Sequence, residues 1–194
     1  MNILFNKLPN KDKYGNAIHT SFKRWIAFLV CLDDKSLPET LRAKFALQSV
    51  YPKLDDQNIP KYLDGALDFV SRWNGNIKPA PNNSNPAPVV DFTIDQHSIY
   101  SSFLKDYSID LQASNMHFYQ FMSLLFSLSQ DTKFGEALYY RSVKISSDCD
   151  KYTRKQIQNA KMFYSLNKTS SIENIPEDQF IKEVKEQARR LKNV

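Results

Sequence analysis

A chain of 194 residues suits one domain or two small ones, and 42% hydrophobic with 24% charged residues is the composition of a globular protein. Its four glycines, Gly15, Gly65, Gly75 and Gly135, are widely scattered, which excludes the glycine-rich turns that cradle nucleotide phosphates. The net charge of +5 belongs wholly to residues 151–194, with ten basic and five acidic side chains; residues 1–150 carry sixteen of each. A C-terminal segment of that kind is either a solvated helix face or a surface for an acidic partner.

The first twenty residues read as a short β-hairpin, turning at Tyr14-Gly15-Asn16 where Gly15 can take positive φ. Beyond Thr20 the period becomes helical, with Phe22, Trp25, Ile26, Leu29 and Leu32 on one side and Lys23 and Arg24 on the other. Ser36-Leu37-Pro38-Glu39 predicts a second helix start, Ser36 capping, Glu39 reaching back and Pro38 in the first turn. Leu41, Phe45 and Val50 carry that helix to a stop at Tyr51-Pro52. Similar punctuation at Asn58-Ile59-Pro60 opens a third helix, striped by Ile59, Tyr62, Leu63, Ala66, Leu67, Val70 and Trp73. Asp55-Asp56-Gln57-Asn58 lacks the glycine and the terminal glutamate of a calcium loop, and reads as a capping loop.

Residues 74–88 interleave Pro79, Pro81, Pro86 and Pro88 with asparagines and offer nothing to a core, so they read as a linker or long exposed loop. A fourth helix begins near Thr93 or Asp95, striped by Ile99, Tyr100, Phe103, Leu104 and Tyr107. The fifth, Met116 to Ser129, is apolar on nearly every side and must lie centrally in the core or be covered by another chain. Asp131-Thr132 caps a sixth helix with Phe134, Leu138, Tyr139 and Val143. A seventh runs from about Asp148 to Asn167, and an eighth from Pro176 to Lys192 with Phe180, Val184, Ala188 and Leu191. The expected fold is therefore mainly α: a multi-helix bundle with an N-terminal β-hairpin and a Pro/Asn-rich central linker. Its segments are 1–73, 74–88 and 89–194, the first and last either separate or one domain.

A search for chemistry yields no catalytic, cofactor or metal site. His19, His97 and His117 have no second ligand at metal spacing within their segments. His117, in the first turn of the most apolar helix, reads as a hydrogen-bonded core or interface residue. Cys31 reads as a small buried hydrophobe, and Asp148 and Asp150 flank Cys149 and disfavour its thiolate, so a reducing compartment is the simpler reading. Asp106 and Asp110 are candidate paired carboxylates, with Arg141 a partner across the core, although caps and ion pairs are the commoner use of such residues. No apolar window reaches about 18 residues, and the N-terminus is too short in apolar residues for a signal peptide. Nucleic-acid binding fits the pI of 9.1 but not the acids interleaved through the basic segment, Glu173, Glu177, Asp178, Glu183 and Glu186. The function expected is binding rather than catalysis.

Several stretches resemble one tailed-phage family: Asp91-Phe92-Thr93-Ile94-Asp95, Ile99-Tyr100-Ser101-Ser102-Phe103 and Tyr107-Ser108-Ile109-Asp110-Leu111. Met116-His117-Phe118-Tyr119-Gln120-Phe121, Asp131-Thr132-Lys133 and Tyr140-Arg141 continue the match, and Thr20-Ser21-Phe22-Lys23-Arg24-Trp25-Ile26 extends it more loosely. This is the bacteriophage gene-product-fifteen family, from tail modules of long-tailed phages of low-GC Gram-positive bacteria. The chain departs from it in placing Phe118-Tyr119 where the family tends to a tryptophan pair, and Ser108 where it tends to glycine. The resemblance implies a tail assembly chaperone in the host cytoplasm that binds the tape-measure protein and recruits tail-tube subunits, with self-association along the tape. It implies no catalytic residues. On this reading the contact surface is the C-terminal pair of helices around Lys151–Lys192, through Phe180, Val184 and Leu191 with Lys185 and Arg189. The alternatives are a connector or completion protein of the finished tail, and a helical nucleic-acid binder.

Overall fold

The computed structural model describes residues 4–73, 89–146 and 148–166. Among these are seven α-helices: α1 (Phe22–Asp33), α2 (Glu39–Val50), α3 (Ile59–Arg72), α4 (Gln96–Tyr107), α5 (Phe118–Leu125), α6 (Lys133–Ser142) and α7 (Lys151–Phe163). The chain divides into two compact units, Met1–Lys144 and Ile145–Val194. The first holds α1 to α6, and its core draws side chains from both sides of residues 74–88. Those residues, and the eighth helix expected over Pro176–Lys192, lie outside the described residues.

The first unit starts from a backbone crossing. Ser21, just before α1, and His117, just before α5, form an isolated antiparallel bridge. Phe22 N–H donates to the Met116 carbonyl (3.1 Å) and Phe118 N–H to that of Thr20 (2.8 Å). A helix N-terminus leaves its first N–H groups without partners inside the helix, and here each start satisfies one of the other's. Phe22 and Phe118, the first residues of the two helices, are both buried.

Behind the crossing lies an aromatic cluster. Trp25 stacks on Phe69 of α3 (4.3 Å between ring centroids), and Phe121 stacks between Phe22 (4.6 Å) and Phe103 of α4 (5.2 Å). Trp25, Phe28, Phe69, Phe103, Phe118 and Phe121 are fully buried. Phe28 and Phe69 fall outside the stripes that the sequence assigns to α1 and α3, whereas Leu67, inside its stripe, is 47% exposed. Likewise α2 buries Ala46, Leu47 and Val50, while Leu41 and Phe45 stay 43% and 46% exposed. The rotation follows from the partners, since the closest-packed face of α2 is the one turned to α1.

The N-terminal hairpin does not form. No strand occurs among the described residues, and within residues 4–20 only a single Lys11–Ala17 bridge forms. A ladder continuing past it would pair residue 9 with residue 19, but Pro9 has no N–H to give. His19 N–H donates instead to the Val50 carbonyl (2.8 Å), and the Pro9 carbonyl is taken by His117. The turn is held by the buried Asp12 carboxylate, which accepts from Tyr14 N, Asn16 N, Asn16 Nδ2 and the Tyr51 hydroxyl. Burial opposes its ionisation, yet these bonds outweigh it and hold the carboxyl below the usual range. A β-carbon at Gly65 would stand 2.6 Å from Asp12 Oδ2, so only glycine lets α3 meet the turn.

Helix starts follow the sequence with two changes. Asp55 caps by accepting from Gln57 N and Asn58 Nδ2, Thr132 accepts from Gly135 N, and Asp150 from Tyr152 N and Thr153 N. The last cap starts α7 at Lys151, three residues after the expected Asp148. Ser36 does not cap α2, because its N–H and hydroxyl both turn back to Asp34 Oδ1. The fifth helix is also shorter than expected, ending at Leu125. Tyr107 donates to the Leu124 carbonyl (2.9 Å) and Asp106 accepts from Ser129 N (2.7 Å), taking groups that a longer helix would use itself.

Ser108 closes α4 in the left-handed region, φ +54°. The turn before Ile109 therefore keeps a conformation that favours glycine, although a serine occupies it. Ser108→Gly is expected to raise the denaturant midpoint, by about 0.5–1 kcal/mol once glycine's greater unfolded freedom is offset. Phe121→Ala or Leu125→Ala, each emptying a fully buried position, is expected to cost about 2–5 kcal/mol in the same measurement.

Candidate partner-binding surfaces

The polar residues singled out by sequence serve structure. Asp106 and Asp110 do not pair: Asp110 accepts from Gln112 N (2.8 Å) and the Tyr100 hydroxyl (3.2 Å), Asp106 from Ser129. Arg141 of α6 engages Asp95 instead, through Nη1 to Oδ2 (2.7 Å) and Nη2 to Oδ1 (2.9 Å), with Nη1 also reaching the Val89 carbonyl (3.0 Å). The pair is nearly buried, at 8% and 5% exposure, and fastens the start of α4 to the end of α6. A two-pronged guanidinium–carboxylate contact of this kind orients elements, and losing one partner would strand a buried charge. Sequence placed Arg141 across the core correctly but not its partner, since Asp95 and Arg141 lie 46 residues apart.

His117 is a structural residue with an unusual task. Its Nδ1 accepts from Tyr119 N–H (3.0 Å), capping α5, while Nε2 lies 2.9 Å from the Pro9 carbonyl and donates to it. Gln120 Oε1 completes the cap by accepting from His117 N (3.2 Å). Only the neutral ring can do both, and burial pushes the His117 pKa below its ordinary value although the Pro9 bond pulls the other way. Beside it, Tyr119 donates to the Phe69 carbonyl (2.8 Å), and burial pushes its phenol up to about 12.

Burial, then Arg24, lowers the His19 pKa, and His97 lines a groove with Gln96. Cys31 is half-buried, its Sγ 3.7 Å from the Arg42 carbonyl, and Cys149 is half-buried too. Among the described residues no group of three or more His, Cys, Asp or Glu is placed to hold a metal. No described helix is long and apolar enough to cross a membrane.

Two open grooves mark the first unit. One, of about 410 Å³, is lined by Leu8, Ile109, Met116, Tyr119, Ser123 and Leu124 with Gln120, none of them charged. It lies along the side of α5 that carries Gln120, Ser123 and Leu124, with Tyr119, a buried core residue, also lining it. The other, of about 610 Å³, runs between α1 and α4 over a floor of Phe22, Ile99 and Phe121, with Lys23, His97 and Gln112 at its rim. Lys23 Nζ is engaged there by the Gln112 carbonyl (2.6 Å).

The second unit contributes α7, none of whose residues is buried. Lys151, Arg154, Lys155 and Lys161 fall on one side and Tyr152, Ala160 and Phe163 on the other, with no acidic residue from 151 to 166. Tyr152 and Phe163 are 72% and 66% exposed. The contact residues expected from sequence, Phe180, Val184, Lys185, Arg189 and Leu191, lie outside the described residues.

The burial that lowers the His117 pKa makes stability depend on pH with a definite sign. The unfolded imidazole takes up a proton near pH 6.5, which the folded one resists. The cap's stabilisation is therefore present above that pH and is lost as pH falls through the lower folded value. His19 acts in the same sense. The denaturation midpoint is expected to drop between pH 7 and pH 5, and His117→Asn, which retains a capping side chain, to flatten that slope.

In comparison with known protein families, residues 4–166 match the family described as Bacteriophage Gp15 protein. No curated protein and no solved structure matches.

Proposed function

The chain belongs to the bacteriophage Gp15 protein family, whose role is structural or in phage assembly, and from that premise we propose that it is a tail assembly chaperone for the tape-measure protein. A long helical tape measure exposes apolar stripes before the tail tube closes around it, and exposed stripes aggregate. A helical partner that presents its own apolar side chains beside cations covers such stripes and favours acidic ones.

The observation that carries this reading is α7. Its cationic side, where Met162 lies 69% exposed among Lys151, Arg154, Lys155 and Lys161, forms the kind of face that an acidic amphipathic helix pairs with. The contact extends, on this proposal, into the C-terminal segment through Phe180, Val184, Lys185, Arg189 and Leu191. Repeated weak contacts along one tape would add through effective concentration, and major tail-tube subunits would be recruited to the coated tape. The site of action is the cytoplasm of the bacterial host.

Co-expressed with its phage's tape-measure protein, the full chain is expected to raise that protein's soluble fraction and to co-purify with it. Truncation after Asn167 is expected to leave a folded protein and weaken co-purification, and reversing charge at Lys151, Arg154 and Lys155 together to abolish it. A chain that neither binds nor solubilises the tape measure, yet stays in purified virions, is instead a structural component of the finished tail. Salt-dependent DNA binding by the isolated chain would indicate the nucleic-acid reading.

A further inference from the structure

Tyr152, Gln156, Asn159 and Phe163 stand in one row along α7, all four exposed and none of them charged. Their spacing of four, three and four residues keeps them on one narrow face, and it is the spacing by which paired helices interlock. The row reads the same from either end: aromatic, amide, amide, aromatic. Its midpoint falls between Ile157 and Gln158.

We propose that two copies of this chain pair their α7 helices antiparallel along this row, about a two-fold axis at its midpoint. Tyr152 then meets Phe163 of the second copy and Gln156 meets its Asn159, and the symmetry repeats both contacts. Such an interface uses the same patch on both partners and closes on itself. The amides select this occupant over an apolar one. Each offers two donors and an acceptor, so Gln156 and Asn159 satisfy one another across the pair. An apolar surface laid over the row would cover the two aromatics but strand both amides, which opposes it. Antiparallel order also sets each helix N-terminus beside the other's C-terminus, the favourable arrangement of the two dipoles. Lys155 borders the row, and pairing brings it level with position 160 of the second copy, about 7.5 Å along the axis from its counterpart. Arg154 and Lys161 lie on the far side of the helix, away from the contact. The pairing does not rest on the tape-measure reading, since it leaves the cationic side open and is tested without that protein.

Sedimentation velocity of the full chain, over a concentration series reaching about 1 mM, is expected to show a monomer–dimer equilibrium. Gln156→Glu with Asn159→Glu sets carboxylates face to face. It is expected to raise the dissociation constant at least about tenfold, a change of at least about 1.4 kcal/mol. Mixing that chain with one carrying Gln156→Lys and Asn159→Lys is expected to restore the dimer as a mixed pair, which a misfolded variant could not do. A Tyr152→Cys chain mixed with a Phe163→Cys chain is expected to give a disulfide joining those two positions, identified by peptide mass. A chain monomeric at every concentration overturns the proposal, as does a dimer indifferent to the glutamates or a mixture that restores nothing. Linkage only of position 152 to 152 and of 163 to 163 would mean parallel helices, and overturns it too.

Discussion

The first unit depends on the meeting of two helix starts. The Ser21–His117 crossing ties the starts of α1 and α5 to each other, because the donors left over at one N-terminus find acceptors just ahead of the other. His117 stands at the centre of this arrangement. It caps α5 with one ring nitrogen and holds the Pro9 carbonyl with the other, so the entering N-terminal segment, α1 and α5 converge on one imidazole. Trp25 adds a further tie, its indole N–H donating to the His19 carbonyl (2.6 Å) as its ring stacks on Phe69.

Around that crossing, buried polar groups are matched one by one. Asp12 takes four donors, Asp95 takes both prongs of Arg141, and Thr132 satisfies the first turn of α6. Each would cost more unpaired than it contributes paired, which makes these contacts determinants of one arrangement rather than large sources of stability. The two tight glycines belong to the same logic. A β-carbon at Gly135 would meet the Ser129 carbonyl at 1.9 Å, so α6 can begin where Thr132 caps it only because residue 135 has no side chain.

The surfaces divide by chemistry as well as by unit. The apolar groove on α5 has no charge, whereas α7 carries four cations and no acid, on the side opposite Tyr152 and Phe163. An uncharged groove suits a like-natured apolar segment, and a cationic amphipathic helix suits an acidic one. Membership in a phage structural or assembly family agrees with a molecule whose singled-out polar side chains serve the fold and whose candidate contact surfaces are apolar or basic.

Local signals were legible wherever one stretch of chain settles the matter. The helical class, the positions of six described helix starts to within a few residues, the caps at Asp55 and Thr132 and the apolar character of α5 all follow from periodicity and capping chemistry over a few residues. The family was legible too, from motifs spread over most of the chain. Tertiary structure alone decided which face of each helix turns inward. Phe69 and Phe28 are buried and Leu41, Phe45 and Leu67 are not, because burial depends on where the neighbouring helix lies and a stripe of apolar residues can be wider than the face that packs. It also decided the partners of charges and the fate of the hairpin. Arg141 finds Asp95 and His117 finds Pro9 across separations of 46 and 108 residues, and the N-terminal ladder stops after one bridge because Pro9 has no N–H and the His19 N–H goes to the Val50 carbonyl. Hydrogen bonds between remote segments leave no period in the sequence, so only the folded chain reveals them.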